Sequence, residues 1–227
     1  MLAGVFFLAR QGAAVVSSKE ITESEGKTAE TCIVIDAGHG GDDPGKVGIN
    51  GVLEKDLNLQ IALKLKELLE QDGIKIVLTR ESDAGLYDAG TDNKKVQDMR
   101  RRCEIITKAM PVFTVSIHQN SYPEEAIKGA QCFYFGQSEE GKKLAESIQA
   151  SLKERLDTEN HREAKANESY YLLKKTPTPT VIVECGFLSN AKEASLLITE
   201  EYQQDVAEAV YTGIVQYLNI ETEDTKQ

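Results

Sequence analysis

Short apolar runs alternate with longer helical patterns along most of the chain. CIVID (32–36) reads as a strand, and KDLNLQIALKLKELLEQDG (55–73) follows it with Leu57, Ile61, Leu65 and Leu68 at helical spacing and Gly73 as a stop. IKIVLTR (74–80) is the next strand, a polar stretch from Glu81 to Asn93 leads into a helix over 96–108, and PVFTVSIH (111–118) is a third strand. The pattern continues with a strand over 130–136, a helix over 138–156, strands over SYYLLKK (169–175) and PTVIVE (179–184), and two closing helical segments, NAKEASLLI and EYQQDVAEAVYTGIVQYL. Strands this rich in Val, Ile and Leu, alternating with helices, predict a single α/β domain: a mostly parallel, twisted sheet of about six strands with helices on both faces.

Composition narrows what such a domain does. At 227 residues and 41% hydrophobic, the chain is long enough for one substantial core. Its formal net charge of -11 argues against nucleic acid, whose recognition needs clustered cations to displace phosphate counterions. The one dense basic run, Arg100, Arg101 and Arg102, reads as a solvated or substrate-facing helix edge. Residues 1–30 begin with the apolar MLAGVFFLARQGAAVV, too short to span a bilayer comfortably and read as a truncated export signal or membrane anchor, and continue as a polar linker. The folded domain is placed at 31–219 and a polar tail at 220–227. Cys32, Cys103, Cys132 and Cys185 are widely spaced with no C-x-x-C pair, which predicts free thiols.

The candidate chemistry sits where strands end. The strand at 32–36 runs into His39, that at 111–118 ends on His118, and that at 179–184 ends on Glu184. Ligand sites of open α/β sheets form beyond the carboxyl ends of the strands. Two of the chain's three histidines and one glutamate at three such ends form a constellation, whereas His161, in a charged loop, reads as a surface residue. Between His39 and the first helix, GGDDPGKVGINGVLEKD holds glycines that let the backbone fold back and bring Glu54 near His39. Two imidazoles and a carboxylate are a ligand set of catalytic zinc, with a fourth position left for water. The glycine-rich segment contains neither G-x-G-x-x-G nor G-K-[ST], so a phosphate cradle is weakly supported, and the absence of H-E-x-x-H excludes a helix-borne zincin site. A cysteine hydrolase built on Cys185 is disfavoured because neighbours on a strand point to opposite faces. A non-catalytic binding or partner-recruiting module of the same fold is disfavoured because four polar residues are costly to keep buried without a metal or partner.

IVIDAGHGGDDPG, LEKDLNLQIALKLKELLE, VLTR, SIHQN and VIVECGFLSN resemble, in order and spacing, the motifs of the zinc-dependent N-acetylmuramoyl-L-alanine amidases of bacterial cell-wall metabolism, over about residues 32–218. The resemblance implies metal ligands at His39, Glu54 and His118, a catalytic glutamate at Glu184, a Zn2+ cofactor and a peptidoglycan substrate cut between the lactyl group of N-acetylmuramic acid and L-alanine. It also implies action outside the cytoplasmic membrane, membrane-anchored or in the intermembrane or cortex space of the forespore, and a protein activator as a partner. The stretches GTDNKKVQDMRRRCEII, GAQCFYFG and YYLLKKTPTPTVIVECGFLSN are similar to germination-specific amidases of spore formers, which prepare spore cortex for muramic-δ-lactam formation; a vegetative wall amidase of growth or division is the alternative. Many family members carry Ala-Asn four and five positions after the arginine that corresponds to Arg102, where this chain has Ile106 and Thr107. Asn120 and Arg100–Arg102 are candidates for holding peptide carboxylates or glycan hydroxyls.

Overall fold

The alternation of apolar positions sorts the strands into two faces. In the computed structural model, which describes residues 31–224 and side chains through Asn219, Ile33, Ile35 and Ala37 of strand β1 (Cys32–Ala37) face one layer of helices and Val34 and Asp36 face the other. Helix α1 (Glu54–Gln71) covers the first face with Leu57, Ile61, Leu65 and Leu69, begins with Glu54 and Asp56 against its positive end, and stops before Gly73 at φ 75°. Strand β2 (Lys75–Leu78) and helix α2 (Lys94–Ala109) follow, and α2 packs Ile106 on Val34 of the second face. Strands β3 (Phe113–Asn120) and β4 (Gln131–Tyr134) precede helix α3 (Glu139–Leu156), whose Ser138 cap accepts from the Gly141 N–H. The two-residue strand β5 (Lys165–Ala166), helix α4 (Tyr171–Lys175), strand β6 (Thr180–Phe187) and helices α5 (Ala191–Leu197) and α6 (Glu200–Asp224) complete the order.

The sheet order is β2-β1-β3-β6-β4-β5, with β1, β2, β3 and β6 mutually parallel and β4 antiparallel to β6. The α/β class, the six strands and the mostly parallel sheet match the expectation, with one exchange. SYYLLKK is no strand: residues 171–175 form α4, which tucks Leu172 against Val34 and Ile106 and Leu173 against Phe133 and Ile182. Two adjacent apolar residues facing two neighbouring clusters suit one helical turn, and the Asn167 side chain starts the turn by accepting from the Ser169 and Tyr170 N–H groups. The sixth strand is instead β5, too short to leave a periodic signature. Helix α6 continues through Asp224, past Leu218, where the closing helical pattern ends. The expectations for residues 1–30 lie outside the described residues, among which no helix is long and apolar enough to cross a membrane.

Reading each central strand with a period of two, Asp36 of β1, Ser116 and His118 of β3, and Glu184 of β6 all lie on the α2 and α4 side, with Asp36 opposite Ser116 and His118 opposite Glu184. Cys185 falls on the other side, within the main core.

The basic run is resolved differently from its reading as a helix edge. Arg100 pairs with Glu104 and Arg101 with Asp88 at the surface, but Arg102 is 1% exposed and reaches Asp36 at 2.7 Å and Asp98 at 2.6 Å. Burial opposes charge on Asp36, yet Arg102 and the Ser116 and Thr79 hydroxyls hold its pKa down to about 2 from 3.8. A pKa lower in the folded than in the unfolded chain adds stability above the unfolded value, here on the order of 2 kcal/mol, and loses it as pH falls through the folded value. Asp36→Asn is therefore expected to lower stability at neutral pH and to flatten its decline between pH 3.8 and about 2, as urea titrations of the metal-free proteins at a series of pH values would reveal. Parallel declines in both proteins would mean that Asp36 contributes nothing through its charge.

Candidate metal centre

At the carboxyl end of β1 the chain leaves the sheet through Gly38 and turns at His39, a non-glycine residue at φ 62°. A Cβ on Gly38 would lie 2.3 Å from the His118 ring, so glycine is what lets the imidazole from β3 approach this turn. The glycine-bearing segment then folds back as expected. A Cβ on Gly45, itself at φ 67°, would strike the Glu54 carboxylate and the His39 ring, and this close approach brings the first residue of α1 beneath His39.

His39, Glu54 and His118 each offer one ligand atom within 4.8 Å of the others. Glu54 Oε1 lies 3.3 Å from His39 Nε2 and 2.9 Å from His118 Nδ1, and the two rings meet edge to face at 5.0 Å. The orientation is fixed from outside: His39 Nδ1 contacts Asp43 Oδ2 at 2.8 Å, leaving Nε2 turned inward, while Glu54 accepts from the Lys46 and Gln119 N–H groups and from Asn58. Burial disfavours charge on Glu54, but hydrogen bonds and attraction from His118 and His39 outweigh it and keep the carboxyl well below the usual range. Burial likewise works against His39, and Glu54 and Asp43 more than offset it, raising its pKa. A carboxylate that remains ionised between two imidazoles suits a dication.

Glu184 stands apart from that cluster in the same pocket. It is 7% exposed, and its Oε2 is buried with no hydrogen-bond partner. Burial, reinforced by the Glu54 charge and partly offset by His118, His39 and Tyr170, pushes its pKa up to about 7. A buried carboxylate with an idle oxygen beside three clustered donors fits a site that receives a metal and a water. Gly38, Asp43, Met99, Tyr170, Leu172 and Ile182 line the pocket around it. Burial and the Glu184 charge in turn push the Tyr170 phenol up to about 12, so it stays a neutral O–H donor.

The structure thus brings together the four residues isolated at strand ends and in the glycine fold-back. Of the other candidates, Arg102 lines the same pocket with its guanidinium held by Asp36 and Asp98, and the rest are not brought there. The Asn120 side chain accepts from the Ser121 N–H and lies outside the pocket, Arg100 and Arg101 are engaged on the surface, and His161 is exposed in the loop after α3. Cys185 is fully buried and burial raises its thiol pKa, which removes the thiolate a cysteine hydrolase needs. Among the described residues none of the four cysteines is joined in a disulfide. Asp43 and Tyr170 were not singled out in the sequence. The signal for Asp43 was its place four residues after His39 within GGDD, while Tyr170 carried none.

Comparison with known proteins agrees with this architecture. The sequence profile of the family described as N-acetylmuramoyl-L-alanine amidase matches residues 33–216. The germination-specific N-acetylmuramoyl-L-alanine amidase of Bacillus subtilis (strain 168) is 39% identical over 188 residues, which is 82% of this chain and 78% of that protein. Among solved structures, the CwlD amidase from Clostridioides difficile in complex with the GerS lipoprotein superposes with a TM-score of 0.82 at 43% identity, over 84% of this chain and 99% of that one. The catalytic domain of CwlV, an N-acetylmuramoyl-L-alanine amidase from Bacillus (Paenibacillus) polymyxa var. colistinus, gives 0.71 at 31% identity, over 83% and 98%. With nearly the whole folded region matched by the profile and by relatives covered over most of their own chains, the chain belongs to the N-acetylmuramoyl-L-alanine amidase family and is an enzyme of that activity.

Proposed function

We propose that His39, Glu54 and His118 hold a zinc ion, that Glu184 is the general base, and that the enzyme strips peptide from muramic acid in the spore cortex ahead of muramic-δ-lactam formation. The observation that carries the catalytic part is the idle, buried Oε2 of Glu184, a residue opposite His118 in the sheet and lining one pocket with His39 and His118. Zinc held there would supply a water acidified towards a pKa of about 7 and a polarised substrate carbonyl. Glu184 takes the proton of the attacking water on its free oxygen and passes it to the departing alanine nitrogen, so the amine leaves neutral and no covalent enzyme intermediate forms. Asp43 and the amides around Glu54 keep the ligand atoms in place through the cycle, and Tyr170 with the apolar Leu172 and Ile182 shields the carboxylate from bulk water.

The cortex assignment rests on likeness to the germination-specific amidase, and export beyond the cytoplasmic membrane rests on the location of peptidoglycan. A protein activator is supported by the relative solved with the GerS lipoprotein. Chelation is expected to abolish release of peptide amino termini from cortex fragments, and stoichiometric zinc to restore it; full activity in metal-free protein would refute the zinc mechanism. Spores of a producing strain lacking this gene are expected to have cortex without muramic-δ-lactam, whereas normal cortex with a defect in growth or division would assign the enzyme to the vegetative wall.

A further inference from the structure

Two buried arginines converge on the turn that delivers His39. Arg80 is 4% exposed and Arg102 1%. Arg80 Nε donates to the Ala37 carbonyl at 2.9 Å, and its Nη2 donates to the carbonyls of Gly38 at 3.0 Å and Lys55 at 2.7 Å. Its Nη1 donates to the Ser82 carbonyl at 3.1 Å. From the other side Arg102 Nη1 donates to the same Ala37 carbonyl at 2.8 Å and Nη2 to that of His39 at 2.6 Å. Three consecutive carbonyls, those of residues 37, 38 and 39, are therefore held by two guanidinium groups.

Satisfying carbonyls at a strand end does not need a buried cation; an amide or hydroxyl suffices. Arg102 has Asp36 and Asp98 to balance its charge, but among the described residues Arg80 has no carboxylate at ion-pair distance and is held by four carbonyls alone. Burial and the neighbouring Arg102 charge both act against its protonated form, and the charges of Asp36, Asp83 and Asp98 offset this only in part. Keeping a second cation here is costly, and its geometric result is specific: fixing the three peptide planes fixes the direction of the Cα–Cβ bond of a histidine in the left-handed region, a conformation that disfavours ordinary side chains by roughly 1–2 kcal/mol. Arg80 also ties that turn to the first turn of α1 through Lys55, next to Glu54.

We infer that Arg80, with Arg102, is a positioning residue for the metal centre: the fork holds His39 and Glu54 at binding separation before any metal arrives. The inference rests on the metal reading above and assigns the arginines no contact with metal or substrate.

Arg80→Lys keeps the positive charge but replaces a fork spanning four carbonyls with a single ammonium. Zinc affinity of the folded, metal-free variant, measured by competition with a chromogenic chelator, is expected to weaken by about 10- to 100-fold, the range for residues that support a metal ligand. Urea unfolding of the metal-free variant should change far less in proportion. Reduced stability with unchanged zinc affinity would make Arg80 merely structural and overturn the inference. If the variant does not fold, the wild type still decides. In metal-free wild-type protein the Gly38 and Gly40 N–H groups, bonded to the carbonyls of Ile117 and Asp43, should already be protected from hydrogen exchange and unchanged by zinc. Protection that appears only with zinc would mean the turn is not held in advance. Zinc uptake that survives His118→Ala would instead remove the metal reading, and the inference with it.

Discussion

Glu184→Gln is expected to leave the zinc content of the purified enzyme unchanged while lowering turnover by about 10²- to 10⁴-fold, the scale for losing a positioned acid/base group. Glutamine has the size of the carboxyl it replaces, so the pocket between β6, α2 and α4 keeps its shape, but the idle Oε2 can no longer accept a proton from water. The pH profile supplies an independent check. Burial raises the metal-free Glu184 to about 7, and a dication beside it would pull that value back down. Because the proposed base works in its ionised form, kcat/KM of the wild type should fall as pH drops through an acidic limb lying below pH 7, and that limb should be missing from the residual activity of the variant. Loss of zinc together with activity would identify Glu184 as a ligand and unseat Glu54 from that role. Turnover close to wild type would mean that another group activates the water.

Replacing Glu54 should produce the opposite division. Lys46 N–H donates to Oε2 of Glu54 and Gln119 N–H to Oε1, so Glu54→Gln keeps an acceptor for only one of them and should cost some stability, while the ionised bridge between two imidazoles is lost. Zinc affinity is expected to fall by more than the about 10- to 100-fold typical of residues that only support a ligand, and activity at limiting zinc should fall with it. Glu54→Ala should lose more stability still, since neither N–H group then has an acceptor. Full zinc content and full turnover in the glutamine variant would reduce Glu54 to a favourable first residue of α1.

The sequence already contained most of the site because strand ends are legible: an apolar run that breaks onto a histidine or glutamate marks both the element and its exit. His39, His118 and Glu184 were found that way, and Glu54 from the glycines that permit the fold-back. What stayed hidden depended on partners distant in sequence. Arg102 looks like its two neighbours in a basic run, and only the position of Asp36 on the facing strand separates a buried cation from two solvated ones. The antiparallel direction of β4 leaves no mark in composition, and β5 has too few residues to show a period. The YYLL stretch has the aromatic character of a strand, yet the Asn167 turn and two separate apolar clusters make it a helix. Tyr170 enters the site only because that helix begins where it does.

The division of β6 into a core-facing set and a pocket-facing set makes the enzyme unusually sensitive to insertions and deletions of odd length. Losing one residue between Thr180 and Val183 would carry Cys185 into the place opposite His118 and turn the Glu184 carboxylate into the hydrocarbon core, exchanging a carboxylate for a thiol in a single event. Length variation among descendants of this chain is accordingly expected to collect in the exposed connections, such as 122–126 after β3, and to be absent from β3 and β6 themselves.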